Sequence, residues 1–439
     1  LRAAHRFEEA LKAYDRALDL GIDGAEEVWL NKAVIFSDHL RRDDKAKICL
    51  EKALSLNPVY VPALLNLANL SEEQCDRDAA AALYRRVVEV DPNNATATAR
   101  LLNLSQTPAA DKALVGPAIK LAAAQDTPRR EASSLYFALG RACDRAGDYE
   151  QAFTHYSAAN TIAANLGPAY DHEQSEAFFT SLRSLFSADW FENLTPVSSE
   201  APTFICGMFR SGSTLTEQVI AAHPDATAGG ELEYFIALAQ RELAPFPDSM
   251  KDQAASTLKA MAEGYTQLLA DRFPAGNLIT NKRPDNFLYI GLIKSLFPRA
   301  RFIHTTRDAL DNCLSIYFLE MADTMAYARN LLDIGHYYAQ HHRLMSHWKR
   351  LFPNDILEMN YDAFVQDPRK ETAELLRFLG LPWHEDCLDF HTLRNTVKTE
   401  SYWQVREPLY TKSSGRHRHY TNHLGPLAEY LGAKGLLQA

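Results

Sequence analysis

Small and large apolar residues recur at fixed offsets along the first 165 residues of the chain. One set occurs twice at an interval of 80 − 46 = 34 residues: Ala46, Leu50, Ala53, Pro58 and then Ala80, Tyr84, Val87, Pro92. Offsets of four and seven residues place the first three members on one face of a helix, and the proline ends that helix. Small residues let two antiparallel helices approach, and the larger residue fills the space between them. The pattern therefore predicts pairs of packed helices.

The 34-residue period with a closing proline is typical of the tetratricopeptide repeat (TPR). Partial copies stand at residues 10–17 and 152–159, and the interval between 80 and 152 has room for one degenerate repeat. A single helix pair cannot bury its apolar face, so we expect a stacked, all-α array over residues 1–165 with further repeats upstream. Two roles stay open for it: binding a peptide or partner protein, or supporting the next domain or a homodimer.

The pattern changes after residue 165. Residues 166–201 read as a helical linker that ends in a cluster of proline and serine residues. Beyond it, short apolar runs at 204–207, 278–280, 301–306 and 356–360 alternate with helical stretches. Strands separated by helices of this length indicate a parallel sheet with helices on both faces. Residues 202–439 are therefore predicted to form an α/β domain with a central parallel sheet.

Composition restricts the partners and the compartment. The formal net charge is −10, which argues against general binding of nucleic acids or anionic membranes. No apolar run reaches the length of a membrane span. The six cysteines are scattered without metal-ligand spacing, so we expect reduced thiols and a cytoplasmic protein.

A glycine-bearing loop at residues 207–214 lies between an apolar run and a helical stretch, which is the setting of a phosphate-binding loop. Gly212 lets the backbone approach an anion, and the amides of the following helix point toward it. The spacing resembles the Walker A loop of nucleoside triphosphatases, but Ser213 stands at the lysine position and Arg210 lies inside the loop. Arginine binds a tetrahedral oxyanion without a metal ion. A simple glycine turn is the plainer alternative.

Further cationic and hydroxyl groups follow other predicted strands. Lys282 comes directly after one run and Arg307 after the next, with Ser315 eight residues later on a helix. Because ligands bind at the carboxyl ends of parallel strands, we expect Arg210, Lys282, Arg307 and Ser315 to converge. A ligand with two separate anionic groups suits them better than a nucleoside triphosphate does.

These and other motifs together resemble the sulfotransferases that use 3′-phosphoadenosine 5′-phosphosulfate (PAPS), in particular bacterial TPR sulfotransferases and tyrosylprotein sulfotransferases. The resemblance covers residues 202–420 and rests on the segments 207–215, 223–224, 230–231, 282, 306–308, 315, 360–361, 401–406 and 415–418. His417 stands where the family has tryptophan, and Arg283 stands where the eukaryotic tyrosylprotein enzymes have an acid.

The resemblance implies a role for each residue. Glu231 would be the catalytic base, with Glu233 as its nearest competitor. Lys282 would stabilise the transferred sulfuryl group and the leaving phosphate oxygen, and Arg210, also counted as catalytic, would hold the 5′-phosphosulfate together with the loop amides. The residues implied in binding PAPS, and the product 3′-phosphoadenosine 5′-phosphate (PAP), are Arg210, Ser211, Gly212, Ser213, Thr214, Leu215, Arg307, Ser315, Tyr361, Ser401, Gln404 and Arg416. No metal is required by this scheme.

The leading hypothesis is transfer of a sulfuryl group from PAPS to an acceptor hydroxyl, with a protein or peptide tyrosine as one candidate and the repeats recruiting the acceptor or a partner. A glycan, a lipid or a small phenol would use the same catalytic groups. Two other hypotheses stay open: a P-loop kinase or nucleoside triphosphatase with a rewired loop, and a TPR binding protein whose second domain is inert.

Overall fold

The computed structural model describes residues 6–40, 42–74, 76–273, 278–393, 409 and 413–437. The chain divides into two compact units, Leu1–Leu166 and Gly167–Ala439. Among the described residues, no helix combines the length and the apolar character needed to cross a bilayer.

The first unit is helical throughout its described part. Its α-helices are α1 (Phe7–Asp19), α2 (Ala25–Val34), α3 (Asp43–Leu56), α4 (Val61–Glu73), α5 (Arg77–Val90), α6 (Ala95–Leu104), α7 (Pro108–Ala123), α8 (Arg129–Ala146) and α9 (Tyr149–Ala164), and a π-helical segment, Ile35–His39, follows α2. Neighbouring helices pack as the pairs α2 with α3, α4 with α5, α6 with α7 and α8 with α9. The pair α6 and α7 occupies the interval in which the sequence predicts a degenerate repeat.

The repeating small and large residues lie between the helices of a pair. Ala152, Tyr156 and Ala159 on α9 are buried. A Cβ atom added to Gly140 on α8 would lie 2.8 Å from the Tyr156 ring, so this ring packs directly on the α8 backbone. In the pair α4 and α5, the buried Tyr84 hydroxyl donates to Glu72 Oε1 at 2.6 Å. The predicted packing of small against large residues is therefore observed.

The second unit contains a five-stranded parallel sheet in the order β2-β3-β1-β4-β5. The strands are β1 (Thr203–Gly207), β2 (Ala226–Ala228), β3 (Leu278–Lys282), β4 (Arg301–Thr306) and β5 (Ile356–Asn360). Strand β1 is central: Ile205 lies beside Lys282 of β3 and beside Ile303 of β4. The edge strand β2 is not anticipated by the sequence, because its three residues, Ala-Thr-Ala, lack the long apolar side chains of a strand signal.

Helices surround the sheet. They are α10 (His172–Leu185), α11 (Ala188–Glu192), α12 (Ser213–Ala221), α13 (Tyr234–Ala237), α14 (Ala255–Arg272), α15 (Ile290–Leu296), α16 (Ala309–Tyr317), α17 (Leu331–Leu351), α18 (Tyr361–Gln366), α19 (Pro368–Leu379) and α20 (Thr421–Ala433). Single turns of 3₁₀ or π helix lie at Leu238–Glu242, Asp248–Asp252, Pro284–Tyr289, Ala326–Arg329, Glu385–Leu388, Phe390–Thr392 and Arg416–Tyr420.

Two apolar cores cover the two faces of the sheet, because successive side chains of a strand point to opposite faces. Phe204 and Phe302 belong to the core that also contains Trp348 of α17. Ile205 and Ile303 belong to the other core, with Met359 of β5.

Most of the stretch 166–201, which the sequence assigns to a linker, is part of the second unit. Phe179 and Leu182 of α10 and the following Phe186 are fully buried in the same core as Phe204. A Cβ atom added to Gly291 would lie 2.3 Å from the Phe186 ring, so α15 and this ring are in direct contact. The sequence did not predict this burial, because only a few large apolar residues of the stretch are buried and its apolar periodicity is therefore weak.

Candidate functional site

The loop between β1 and α12 approaches its neighbours more closely than a side chain would permit. A Cβ atom on Gly207 would lie 2.4 Å from the backbone oxygen of Thr305 on β4. Gly212 has φ 105° and caps α12, and a Cβ atom there would lie 3.1 Å from the Tyr361 ring. The first amides of α12 have no acceptor within the helix, and its dipole favours negative charge at this end. The loop therefore has the geometry of an anion-binding site.

Arg210 lies inside this loop with φ 67°, the one described non-glycine residue with positive φ. This conformation is unfavourable for a residue with a Cβ atom, and such strain is concentrated at functional sites. Its Nε donates to Ser315 Oγ of α16 at 3.2 Å. The sequence predicts that Ser315 shares an anion with Arg307. In the structure its hydroxyl accepts from Arg210, whose backbone oxygen in turn accepts from Arg307.

Arg307 follows β4 and is nine-tenths buried, with 9% of its surface exposed. Its guanidinium lies 5.0 Å from the centre of the Tyr361 ring. Nη1 donates to the Arg210 carbonyl oxygen at 3.5 Å, and Nη2 donates to the Ser413 carbonyl oxygen. Nε has no hydrogen-bond partner among the described residues. A buried guanidinium that has an unsatisfied donor and, within the described part of the chain, no carboxylate partner indicates a site for an external anion.

Lys282 ends β3 and forms an ion pair with Glu231. Its side chain is 1% exposed, whereas that of Glu231 is 38% exposed, and Nζ donates to Glu231 Oε1 at 2.5 Å. Glu231 follows Gly230, which has φ +68° and whose carbonyl oxygen accepts from the Lys282 amide at 2.9 Å. The carboxylate therefore lies at the surface while the ammonium group lies below it.

A second carboxyl group, which the sequence pattern does not predict, lies beneath this pair. Glu217 of α12 is 3% exposed, and its Oε1 accepts from the Gly230 amide at 3.0 Å and from the Thr280 hydroxyl at 3.3 Å. Burial raises the pKa of Glu217 to about 7, although the nearby Lys282 opposes the shift. The sequence offers no clear signal for it, because α12 also contains Ser213, Thr214, Thr216 and Gln218.

Asp311 of α16 binds the C-terminal segment, residues 413–420. The sequence did not predict Asp311 as a site residue. Its carboxylate accepts from the Gly415 amide at 2.5 Å and from the His417 amide at 2.7 Å. His417 Nδ1 also lies 3.0 Å from Asp311 Oδ1, so this histidine helps to hold the segment. The guanidinium of Arg416 lies 5.2 Å from the centre of the Phe318 ring.

One group of side chains in the described part of the chain has the composition and spacing of metal ligands: Asp308, Asp311 and His417. Both carboxylate oxygens of Asp311 already accept hydrogen bonds from the backbone of the C-terminal segment. The close approach of these three side chains is therefore explained by the hydrogen bonds that hold the C-terminal segment on α16.

The other predicted residues occupy varied positions. Ser211 is buried, and its hydroxyl donates to the Met208 carbonyl oxygen at 2.6 Å. Ser213 and Thr214 form the buried first turn of α12, and Leu215 packs against the core that contains Ile205. Tyr361 lies beside both Gly212 and Arg307. Ser401 and Gln404 lie outside the described residues.

The ends of β1, β3 and β4 thus bring a phosphate-type loop, a buried lysine with a carboxylate, and a buried arginine to one edge of the sheet. The arrangement can bind a ligand with two anionic groups and can place a base beside a cation. These are the requirements for transferring a charged group from a nucleotide to a hydroxyl.

Comparison with known proteins agrees with this geometry. Residues 202–385 match the model of the sulfotransferase family. Residues 26–60, 61–94 and 133–166 each match the tetratricopeptide repeat. The repeats predicted from the 34-residue period are therefore confirmed, as is the predicted relation to sulfotransferases.

Two curated relatives match different shares of the chain. An uncharacterized protein of Aquifex aeolicus (strain VF5) is 31% identical over an alignment of 319 residues that covers 69% of this chain and 42% of that protein. Protein-tyrosine sulfotransferase 1 of Danio rerio is 25% identical over an alignment of 208 residues that covers 43% of this chain and 56% of that protein. The chain thus spans about half the length of these curated relatives.

Among solved structures, the sulfotransferase domain of the Synechococcus PCC 7002 olefin synthase is similar at 19% identity and a TM-score of 0.40. The match covers 55% of this chain and 96% of that domain. A sulfotransferase of Alicyclobacillus acidocaldarius is similar at 15% identity and a TM-score of 0.33, with 55% of this chain and 98% of that protein covered.

Proposed function

Because residues 202–385 match the model of the sulfotransferase family and TPRs precede them, we propose that this protein transfers a sulfuryl group from PAPS to an acceptor hydroxyl. The catalytic groups of the proposal are Glu231, Lys282 and Arg210. The observation that carries it is the buried Arg307, whose Nε has no partner among the described residues while Arg210 stands beside it in the loop. Two neighbouring arginines suit a donor that has anions at both its 3′ and 5′ positions.

Each anionic group of the donor has residues suited to hold it. The loop amides of residues 211–214 and Arg210 would bind the 5′-phosphosulfate, as they surround the start of α12. Arg307 and Ser315 would hold the 3′-phosphate, and Tyr361, stacked on Arg307, would contact the rest of the nucleotide. PAPS would supply the activated sulfuryl group: the acceptor oxygen would attack its sulfur as the bond to the leaving phosphate oxygen breaks.

Glu231 and Lys282 have complementary tasks in this scheme. Glu231 is exposed enough to meet an acceptor hydroxyl and would take its proton. Lys282 is held 2.5 Å from Glu231, and an ammonium group has three donors, so two remain for oxygen atoms of the transferred group and the leaving phosphate. Positioning and fixed charge then supply most of the rate enhancement.

For the acceptor, we propose a tyrosine of a protein or peptide that is recruited by the repeats. The similarity to the Danio rerio enzyme favours tyrosine, and TPR arrays commonly bind proteins. We place the reaction in the cytoplasm, because all five cysteines in the described ranges have free thiols.

The preference of the protein for PAP or for ATP tests the proposed function. We expect calorimetric titration in EDTA to show micromolar binding of PAP and no binding of ATP. The variant Arg307→Ala should weaken PAP binding by roughly 10- to 100-fold, the loss expected for hydrogen bonds to a charged group. Arg299→Ala, which changes an exposed arginine of the same unit, is the matched control. Tighter binding of ATP than of PAP would reject the proposal and favour a kinase or triphosphatase.

A further inference from the structure

Glu217 is a buried polar residue to which the proposed sulfuryl transfer assigns no role. It lies on α12, the helix that begins at the phosphate-type loop, and its side chain points to two other parts of the site. Its Oε1 accepts from the Gly230 amide and from the Thr280 hydroxyl at 3.0 and 3.3 Å. Gly230 precedes Glu231, and Thr280 lies two residues before Lys282 on β3. One carboxyl oxygen thus joins the three elements that carry the loop, the base and the lysine.

The turn at Gly230 is held from both sides by these contacts. Its amide donates to Glu217, and its carbonyl oxygen accepts from the Lys282 amide at 2.9 Å. Gly229, the preceding residue, donates to the Thr280 carbonyl oxygen at 2.9 Å. Gly230 has φ +68°, the left-handed conformation that glycine adopts readily, and it immediately precedes Glu231. Without the Glu217 contact, the Gly230 amide would lose its partner on the α12 side.

Burial makes this contact energetically significant. Glu217 is 3% exposed and Thr280 is fully buried, so water cannot readily replace an acceptor that is removed. The neighbouring charges are Lys282, which faces Glu217 from β3, and Glu231, which faces it from the Gly230 turn. A buried polar group that satisfies donors on two separate elements restricts their relative position.

We infer that Glu217 is a positioning residue, which fixes the Gly230–Glu231 turn relative to β3 and so sets the base beside Lys282. This inference rests on the proposed sulfuryl transfer for its catalytic consequence, while its structural part stands on the hydrogen bonds alone. Glu217 positions the turn through the oxygen atom that accepts the two hydrogen bonds, and not through the negative charge of its carboxylate. Glutamine at this position should therefore replace glutamate, whereas a side chain without an acceptor should not.

Three variants separate these requirements. Glu217→Gln keeps an acceptor oxygen at the same distance along the side chain, and Glu217→Met keeps the length without an acceptor. Thr280→Val removes one of the two donors and leaves the Gly230 contact. Thr216→Val is the control, because Thr216 is a buried polar residue of the same helix whose hydroxyl contacts Gly212 and Met359 rather than Glu217.

The first measurement is hydrogen exchange of the peptide covering residues 228–234, which needs no sulfuryl transfer. We expect Glu217→Met to accelerate exchange at the Gly230 amide by about tenfold or more, and Glu217→Gln and Thr216→Val to leave it close to wild type. Unchanged protection in the Met variant would overturn the inference. Equal acceleration in the Gln and Met variants would also overturn it, since charge would then be the requirement.

The second measurement is transfer of labelled sulfuryl from PAPS to a tyrosine-containing peptide, with PAP affinity measured on the same samples. We expect Glu217→Met to lower kcat by about 10- to 100-fold with PAP affinity nearly unchanged, and Thr280→Val to lower kcat less. Glu217→Gln should retain kcat within about threefold of wild type. Wild type that binds no PAP and transfers no sulfuryl would reject the proposed function, while the exchange result would still decide the positioning role.

Discussion

Replacing Glu217 by glutamine should make the second unit more stable, and the gain should grow with pH. The substitution removes an ionisable group from the interior but keeps its acceptor oxygen, so the contacts with Gly230 and Thr280 persist. Burial raises the pKa of Glu217 from 4.5 to about 7. The pKa of Glu217 is higher in the folded than in the unfolded state. Its stabilising contribution to the wild-type fold is therefore fully present below about pH 4.5 and is lost as pH rises through about 7.

The magnitude follows from these two pKa values. In the wild type, the protonation difference between the folded and unfolded states costs about 1 kcal/mol at pH 5.5 and about 3 kcal/mol at pH 8.5, relative to low pH. The glutamine variant has no such cost at either pH. The difference in unfolding free energy between variant and wild type should therefore increase by about 2 kcal/mol over this interval.

Calorimetric melting of both proteins at a series of pH values measures this effect. For a unit of this size, the gap in melting temperature should widen by roughly 4 °C between pH 5.5 and 8.5. Glu233→Gln is the control, because the same substitution there changes a side chain that is 81% exposed and should produce no widening. A gap that stays constant with pH, or a variant less stable than wild type at pH 8.5, would refute the assignment of a raised pKa to Glu217.

Three further predictions concern other parts of the chain. Glu231→Gln should lower kcat by roughly 100-fold or more while PAP affinity is retained, because the base acts on the acceptor; unchanged turnover in a steady-state assay would exclude Glu231 as the base. Asp311→Asn should cost about 1–3 kcal/mol, since an amide cannot accept at both atoms where Gly415 and His417 donate; proteolysis of the C-terminal segment should then be faster. Gly140→Ala should destabilise the first unit by about 1–3 kcal/mol through contact with Tyr156, whereas Gly116→Ala, which meets open space in α7, should not lower the melting temperature.

The features that follow a local rule were predictable from the sequence. The 34-residue period identifies the helix pairs because each repeat uses the same packing residues. The loop at 207–214 is recognisable because an anion-binding loop between a strand and a helix needs glycine and a cationic residue close together in the sequence. Residues such as Glu231 and Lys282 could be placed together only through family resemblance, since 51 residues separate the two members of the ion pair.

The features that the sequence did not reveal depend on contacts distant along the chain. Glu217 reads as an ordinary polar residue of a helix, and its burial arises only when the Gly230 turn and β3 cover it. Asp311 accepts from residues more than one hundred positions later. Strand β2 is short, and it is recognised as a strand by its backbone pairing with β3 and not by its own side chains. In each case the tertiary partner, rather than the local pattern, determines the role.

The sheet order has a consequence for synthesis of the protein. Strand β1 is made before its neighbours, yet it is central, with β3 on one side and β4 on the other. About seventy residues separate the end of β1 at Gly207 from the start of β3 at Leu278, and β4 follows later still. At translation rates of about 5–20 residues per second, the apolar β1 waits roughly 4–14 s for its first partner. During that interval the nascent chain presents two unpaired strand edges, so a chaperone that shields β1 on the ribosome should increase the yield of folded protein.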